Sequence, residues 1–407
     1  MSTGTSRAAA GMGAVAAISR AIGFGRVLVL AAVLGTSYLG NAFQSANSLS
    51  NVLFELLAAG ALSAVLVPTF VTLLEGGRDR DAERVAGGVL GVAILGMGAI
   101  SVVGILAAPW LAHALTLGVP EHVAGEQREL VTFLLRLFIP QIVLYAAGTI
   151  ASGVLQAKRR FAVTVAAPIG NTVVMVAALL VFGASVGDDP GFDLSTGERW
   201  LLVAAGTGGV VAYVAILLAA CRATGFRLRP RWQLDEQVRG VLRHAGWGVV
   251  LHTGAGILLG GAIVLGGSEA GAVVAYQAAW VFFLAPYAIL AQPVHTAILP
   301  ELVVEAQDDG LERFRASVRW GLERIAIFTI PVTAGMVALA LPAMRVVSFG
   351  EAEATGPGLL AAGLATLAVG LFPYSAFLLL SRAFYALGDS RTPGLASLVA
   401  AGVGVVA

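Results

Sequence analysis

Long apolar stretches separated by short polar turns recur from one end of the chain to the other. A membrane helix needs roughly 20 mostly apolar residues. Runs of that kind lie near 9–36, 41–73, 86–115, 131–156, 161–184, 200–222, 241–266, 271–303, 317–348, 357–387 and 392–407, which predicts eleven spans. The eleventh has 16 residues before Ala407, short for a crossing, so the polypeptide is expected to continue beyond it. The first thirty residues are not read as a cleavable signal, because they lack a small-residue cleavage site and Arg20 and Arg26 interrupt the apolar run.

Composition agrees with this pattern. The 407 residues have a mean hydropathy of +0.87 and 12% charged side chains, against about 25% in soluble domains. The 51 glycines suit close approach of helix backbones in lipid. A net charge of +1 gives no reason to expect a nucleic-acid partner, and the single cysteine, Cys221, excludes an internal disulfide. The distribution of charge is more informative. Loops after even-numbered spans carry seventeen basic residues, among them Arg78, Lys158, Arg229 and Arg319, while loops after odd-numbered spans carry only Arg128 and Arg199 amid eight acids. By the positive-inside rule the N-terminus and the even loops belong to the cytoplasm, which implies a multi-pass protein of a cytoplasmic (inner) membrane.

Ionisable groups within the membrane are costly and mark functional positions. Arg20 and Arg26 stand in the first span with Gly23 and Gly25 between them. Six helical positions leave the two side chains about 120° apart and about 9 Å along the axis. Guanidinium groups fork onto phosphate oxygens, so the pair points to an anionic ligand; for Arg20 the competing reading is snorkelling to the membrane edge. The second span opens with Asn41, Gln44, Asn47, Ser48, Ser50, Asn51 and then Glu55, too polar for lipid and suited to a wet interior. Glu55 is a partner for either arginine, with a purely structural ion pair as the competing reading. Arg136, four residues before Pro140, is a structural or gating candidate through the carbonyls of a broken helix. Pro286 and Pro293 should kink the eighth span, and Gln277, His252 and His295 are isolated polar groups near those bends. For the histidines, hydrogen-bonded packing outweighs a proton relay. No metal-ligand spacing, P-loop or hydrolase elbow is present, and Asp188-Asp189-Pro190 has no partner motif. These features describe a transporter rather than an enzyme.

Phe138-Ile139-Pro140 running to Lys158-Arg159-Arg160 is echoed about 230 residues later by Leu371-Phe372-Pro373 running to Gly388-Asp389-Ser390-Arg391. Two repeated halves around a central site are a recurrent transporter plan; chance similarity of two apolar helices is the alternative.

Several segments resemble the MurJ (MviN) lipid II flippases of the MOP exporter superfamily. They are Ser19-Arg20-Ala21-Ile22-Gly23-Phe24-Gly25-Arg26 with Ala32-Val33-Leu34-Gly35, then Asn41-Ala42-Phe43, Leu57-Ala58-Ala59-Gly60-Ala61-Leu62-Ser63 and Val67-Pro68. Leu135–Pro140, Ala151–Ala157, Leu299-Pro300-Glu301-Leu302 and Arg382–Pro393 continue the match in order. The resemblance implies an all-α polytopic membrane protein of two pseudo-symmetric six-helix lobes around a central cavity, here 1–225 and 226–407, with the second lobe incomplete. It also implies alternating-access transfer of an undecaprenyl-pyrophosphate-linked peptidoglycan precursor from the inner to the outer leaflet, with no cofactor. The coupling source, whether Na⁺, protons or the membrane potential, is left open. On this reading Arg20, Arg26, Asn41, Asn51 and Glu55 hold the substrate. Membrane lipids and cell-wall synthesis proteins are the expected partners. The sequence departs from the family pattern at Asn41, where many members have Asp, at Phe54-Glu55, where they have an Arg pair, and at Ala59, where they have an acid. Around Trp280–Val281 an expected cavity arginine is replaced by apolar residues. Asn51–Leu57 looks like the high-GC actinobacterial branch. Three alternatives stay open: a multidrug or cation exporter, a flippase for another polyprenyl-linked saccharide, and a non-transporting scaffold for cell-wall enzymes.

Overall fold

The computed structural model describes residues 19, 21–54, 60–187, 191–232, 254, 256–307, 312–389 and 391–406. Arg20, Glu55, His252 and Asp188-Asp189-Pro190 lie outside them. Among the described residues every regular element is helical. The first half contains α1 (Ala21–Leu34), α2 (Tyr38–Phe54), α3 (Gly60–Glu75), α4 (Asp79–Leu115), α5 (Glu121–Phe138), α6 (Gln141–Ala157), α7 (Phe161–Val186), α8 (Thr196–Val203) and α9 (Gly209–Ala223). The second contains α10 (Gly256–Gly266), α11 (Ala272–Pro286), α12 (Gln292–Glu305), α13 (Glu312–Val347), α14 (Ala352–Val369), α15 (Leu371–Ala386) and α16 (Arg391–Val406). Among the described residues six spans are long and apolar enough to cross a membrane, or seven if the bent pair in α14–α15 is one span. The other predicted spans fall on shorter helices or beyond the described residues. The fourth span is longer than its apolar core suggested, because amphipathic α5 begins at Glu121 and continues into α6.

Lipid-facing side chains such as Leu95, Trp110 and Val346 remain exposed, while small and aromatic residues fill the interior. One core, centred on Phe43, Leu134, Phe138 and Phe182, draws in Ile263, Val273 and Val274 from the second half. Another, within the second half, gathers Ile298, Leu302, Phe314, Ile325 and Leu379.

Helix breaks repeat between the halves. α5 gives way to α6 at Ile139-Pro140, and α14 meets α15 at Gly370 with a 44° bend. The prolines of the sequence echo therefore mark breaks inside long spans rather than their starts. At the far ends of α6 and α15 the chain turns in the same way. Arg159 (φ 57°) and Gly388 (φ 78°) adopt left-handed backbone, and the next N–H groups reach back to the helices, Arg160 to Leu155 O at 2.8 Å and Asp389 to Phe384 O at 2.9 Å. This closure satisfies orphan carbonyls at a helix C-terminus.

Two π-helical turns loosen further spans: Ala204–Gly208 between α8 and α9, and Tyr287–Ala291 between α11 and α12. The second lies between Pro286 and Pro293, where proline cannot donate within the helix, so the expected kink is met by a π turn inside a span that runs through from Ala272 to Glu305. The first supports the α5–α6 break. Thr207 Oγ1 donates to Leu137 O at 2.9 Å and accepts from Gln141 Nε2 at 2.8 Å. Arg136 does not serve this break: it is exposed and makes no hydrogen bond or ion pair among the described residues. Thr207 reaches the carbonyl with a short hydroxyl that buries no charge.

After α9 the chain leaves the bundle as an extended stretch, 226–232, lying along α4. Phe226 is buried while Arg227, Arg229 and Arg231 are exposed. Arg227 N–H donates to Glu83 Oε1 and Arg231 N–H to Gly87 O, both at 2.8 Å. Glycine is required beneath it: a Cβ on Gly87 would stand 2.4 Å from Arg229 O, and one on Gly91 2.1 Å from Arg231 O.

Candidate functional site

The halves meet along α2 and α11, and α1 joins this seam through an edge-to-face contact of Phe24 with Phe282, centroids 4.5 Å apart. Beside the seam lies a cavity of about 530 Å³. Ser48 and Asn51 line it from α2, Tyr276, Gln277 and Trp280 from α11, and Tyr374 from α15. Ser48 and Asn51 are three apart, so the helix sets them on one face. The polar run that opens the second span thus borders this cavity at these two positions.

The polar groups form a relay across the seam. Gln277 Nε2 donates to Ser48 Oγ at 2.7 Å, tying the halves together. Tyr145 of α6 donates its hydroxyl to Asn51 Oδ1 at 3.2 Å. The Arg26 guanidinium, half-buried, lies within electrostatic reach of Tyr145. Arg26 therefore approaches the cavity through Tyr145 and Asn51 and does not itself line it. Tyr145 and Trp280 were not singled out as site residues from the sequence, since a hydroxyl or indole among apolar residues gives no periodic signal.

Asn41 has a different role from the cavity residue expected. It is fully buried at the end of the bundle opposite the basic loops. Its Nδ2 donates to Glu269 O at 2.8 Å, and its Oδ1 accepts from Val273 N–H at 3.0 Å. Around it the Gly35–Ser37 turn is wedged between two glycine turns of the second half. Gly271 (φ 76°) and Gly350 (φ 62°) sit so close to Thr36 and Ala32 that no Cβ fits. Glu351 N–H donates to Ala32 O at 3.0 Å, and Tyr38 OH donates to Ser268 O at 3.2 Å. With both ends of its amide committed, Asn41 serves as a clasp between the halves.

On the second-half wall, Trp280 stacks on Phe283 with centroids 5.2 Å apart and 22° between planes, and Tyr374 meets both rings edge-on. Tyr374 continues to Tyr287 at 5.2 Å and Tyr287 to His295 at 5.8 Å. His295 is fully buried beside Tyr287, and among the described residues neither ring nitrogen finds a hydrogen-bond partner, so the packing expected of it is present without its hydrogen bond.

Residues 30–407 match the family described as lipid II flippase MurJ. The chain is 26% identical over 388 residues to the lipid II flippase MurJ of Burkholderia cenocepacia, covering 92% of this chain and 72% of that protein. It is 26% identical over 405 residues to the probable lipid II flippase MurJ of Vibrio cholerae, covering 93% and 72%. The solved lipid II flippase MurJ in its inward closed conformation superposes with a TM-score of 0.76 at 16% identity, over 97% of this chain and 80% of that one. An inward-facing MATE multidrug transporter of the MOP superfamily gives 0.68 at 14%, over 95% and 84%. The two-lobed helical fold is thus common to both groups, and the match along the sequence makes this multi-pass membrane protein a member of the lipid II flippase MurJ family.

Proposed function

We propose that this chain flips a lipid-linked peptidoglycan precursor, lipid II, from the cytoplasmic to the outer leaflet by alternating access between its two halves, 1–225 and 226–407. The observation that carries the reading is a cavity at the seam of the halves, apolar-walled with a few placed polar groups and coupled through Asn51 and Tyr145 to Arg26, in a chain of this family. The basic loops face the cytoplasm by the positive-inside rule, which puts the Asn41 clasp on the outer side and leaves loading to the inner leaflet. Alternation requires that the clasp and the Ser48–Gln277 tie break and reform, and both are neutral hydrogen bonds of modest net strength, about 1 kcal/mol each. Among the described residues lining the cavity none carries a carboxylate, which disfavours a cationic drug as cargo. Arg20, Arg26, Asn51 and Glu55 remain the proposed substrate-holding set, while Asn41 acts on the gate.

The test is transfer of fluorescent lipid II across vesicles containing the purified full chain. Protected label in the outer-equivalent leaflet should appear with this protein and not with empty vesicles. Transfer no faster than in empty vesicles, from protein shown to be folded and inserted, would refute the assignment.

A further inference from the structure

The second-half wall of the cavity lacks the chemistry that a pyrophosphate needs. Among its described residues no arginine or lysine lines the space. What stands there is an aromatic surface flanked by amides. Trp280 is half-buried, and Phe283, itself buried, covers one side of the indole. Tyr374 packs edge-on against it at 5.8 Å. The ring is thus braced on two sides before any ligand arrives, so little side-chain freedom is lost on contact.

Gln277 is three residues before Trp280 on α11, hence beside it, and Asn51 faces the same space from α2. Asn51 receives the Tyr145 proton on its oxygen, and its amide nitrogen has no partner among the described residues. A rigid aromatic face beside amide donors and acceptors suits a pyranose ring. Such a ring offers an apolar C–H face to stack and equatorial hydroxyl or acetamido groups to bond. A bare phosphate offers neither, and a polyprenyl chain has no use for the amides. Pockets that combine apolar walls with a few placed polar groups in this way orient a ligand as well as hold it.

We propose that this wall is a saccharide platform, in which the Trp280 indole stacks on a sugar ring of the lipid-linked cargo and Asn51 and Gln277 bond the ring's substituents. The inference rests on the flippase reading and divides the headgroup between the halves. The first half, through Arg26, answers to charge. The second reads the sugar.

The test compares two probes on the purified full chain in nanodiscs: lipid II, and undecaprenyl pyrophosphate without sugar. Wild-type protein should prefer the sugar-bearing lipid by about tenfold, the scale of one good aromatic contact. Trp280→Ala should bring that ratio close to one while leaving affinity for the sugarless lipid unchanged, and Trp280→Phe should keep most of the preference. Should Trp280→Ala lose its melting transition, Trp280→Leu, which keeps bulk without an aromatic face, carries the same expectation. Equal weakening of both probes by these variants would show a purely structural tryptophan and overturn the platform, as would a wild-type ratio of one. Wild-type protein that binds neither lipid would overturn the cargo reading, and the platform with it.

Discussion

Asn41 on α2 and Val273 on α11, 232 residues apart in sequence, share a buried hydrogen bond of 3.0 Å at the end of the bundle opposite the basic loops. The same amide gives its nitrogen to Glu269 O, which an aspartate at this position could not do, since an ionised carboxylate only accepts. Asn41→Ala would strand the Val273 N–H in a buried junction, at ~1–3 kcal/mol, all charged against the closed clasp. The opening equilibrium should rise about tenfold. A cysteine placed at Thr36, which is buried beneath Gly271 in the closed clasp, should then react correspondingly faster with an impermeant maleimide in a Cys221→Ser background. An unchanged labelling rate would show that the clasp does not hold the halves together.

Arg26 acts at one remove from the cavity. Arg26→Ala should abolish lipid II transfer in vesicles while the protein stays inserted and folded, and Arg26→Lys should restore part of it, since a point charge replaces a fork. Tyr145→Phe deletes the hydroxyl that joins this arginine to Asn51, and it should slow transfer without the total loss given by Arg26→Ala. Wild-type transport by Arg26→Ala would remove the arginine from the mechanism.

The bundle was legible because apolar runs and basic loops obey bilayer physics at every turn, and the echo near Pro140 and Pro373 was visible in two prolines and two basic turns, though as starts of spans rather than as breaks within them. The cavity was only partly legible. Asn51 announced itself as a polar residue in an apolar span. Asn41 announced itself equally loudly and went to a clasp, because the alphabet of the two roles is the same and only the partner 232 residues away distinguishes them. Arg136 misled for the opposite reason: the carbonyl freed at the α5–α6 break is met by Thr207, a residue with no visible charge, supplied by a π turn that no periodicity reveals. The aromatic stack on Trp280 depends on α11 and α15 meeting, and an isolated tryptophan in an apolar run looks like core.

The extended stretch 226–232 should be releasable without touching its own residues. Gly91→Val puts a branched side chain where a Cβ already falls 2.1 Å from the backbone oxygen of Arg231, so the strap, the softer partner, must lift from α4. Limited trypsin digestion should then cut after Arg227 and Arg231 about tenfold faster, as expected for ~1.4 kcal/mol of lost docking. Arg229 should stay resistant in both proteins because Pro230 follows it. An unaltered digestion pattern would mean that the glycine groove does not hold the strap.

Asp389 gives the α15–α16 turn a pH dependence whose sign can be worked out. Its carboxylate accepts from Thr392 Oγ1 at 2.5 Å, from Thr392 N–H at 3.0 Å and from Arg391 N–H at 2.9 Å. The Thr392 side-chain bond, then its backbone bond, hold the carboxyl below its ordinary value. A group whose folded value is depressed stabilises the folded turn above its unfolded value, about pH 4, and that contribution is lost as pH falls through the folded value. Amides in the first turn of α16 should therefore exchange at a constant opening free energy from pH 7 down to about 4 and open more readily below it. Asp389→Asn keeps a capping oxygen but has no proton to take up, so its opening free energy should be flat across the same range. If the variant and the wild type showed the same acid-induced opening, the cap would not be the titrating group.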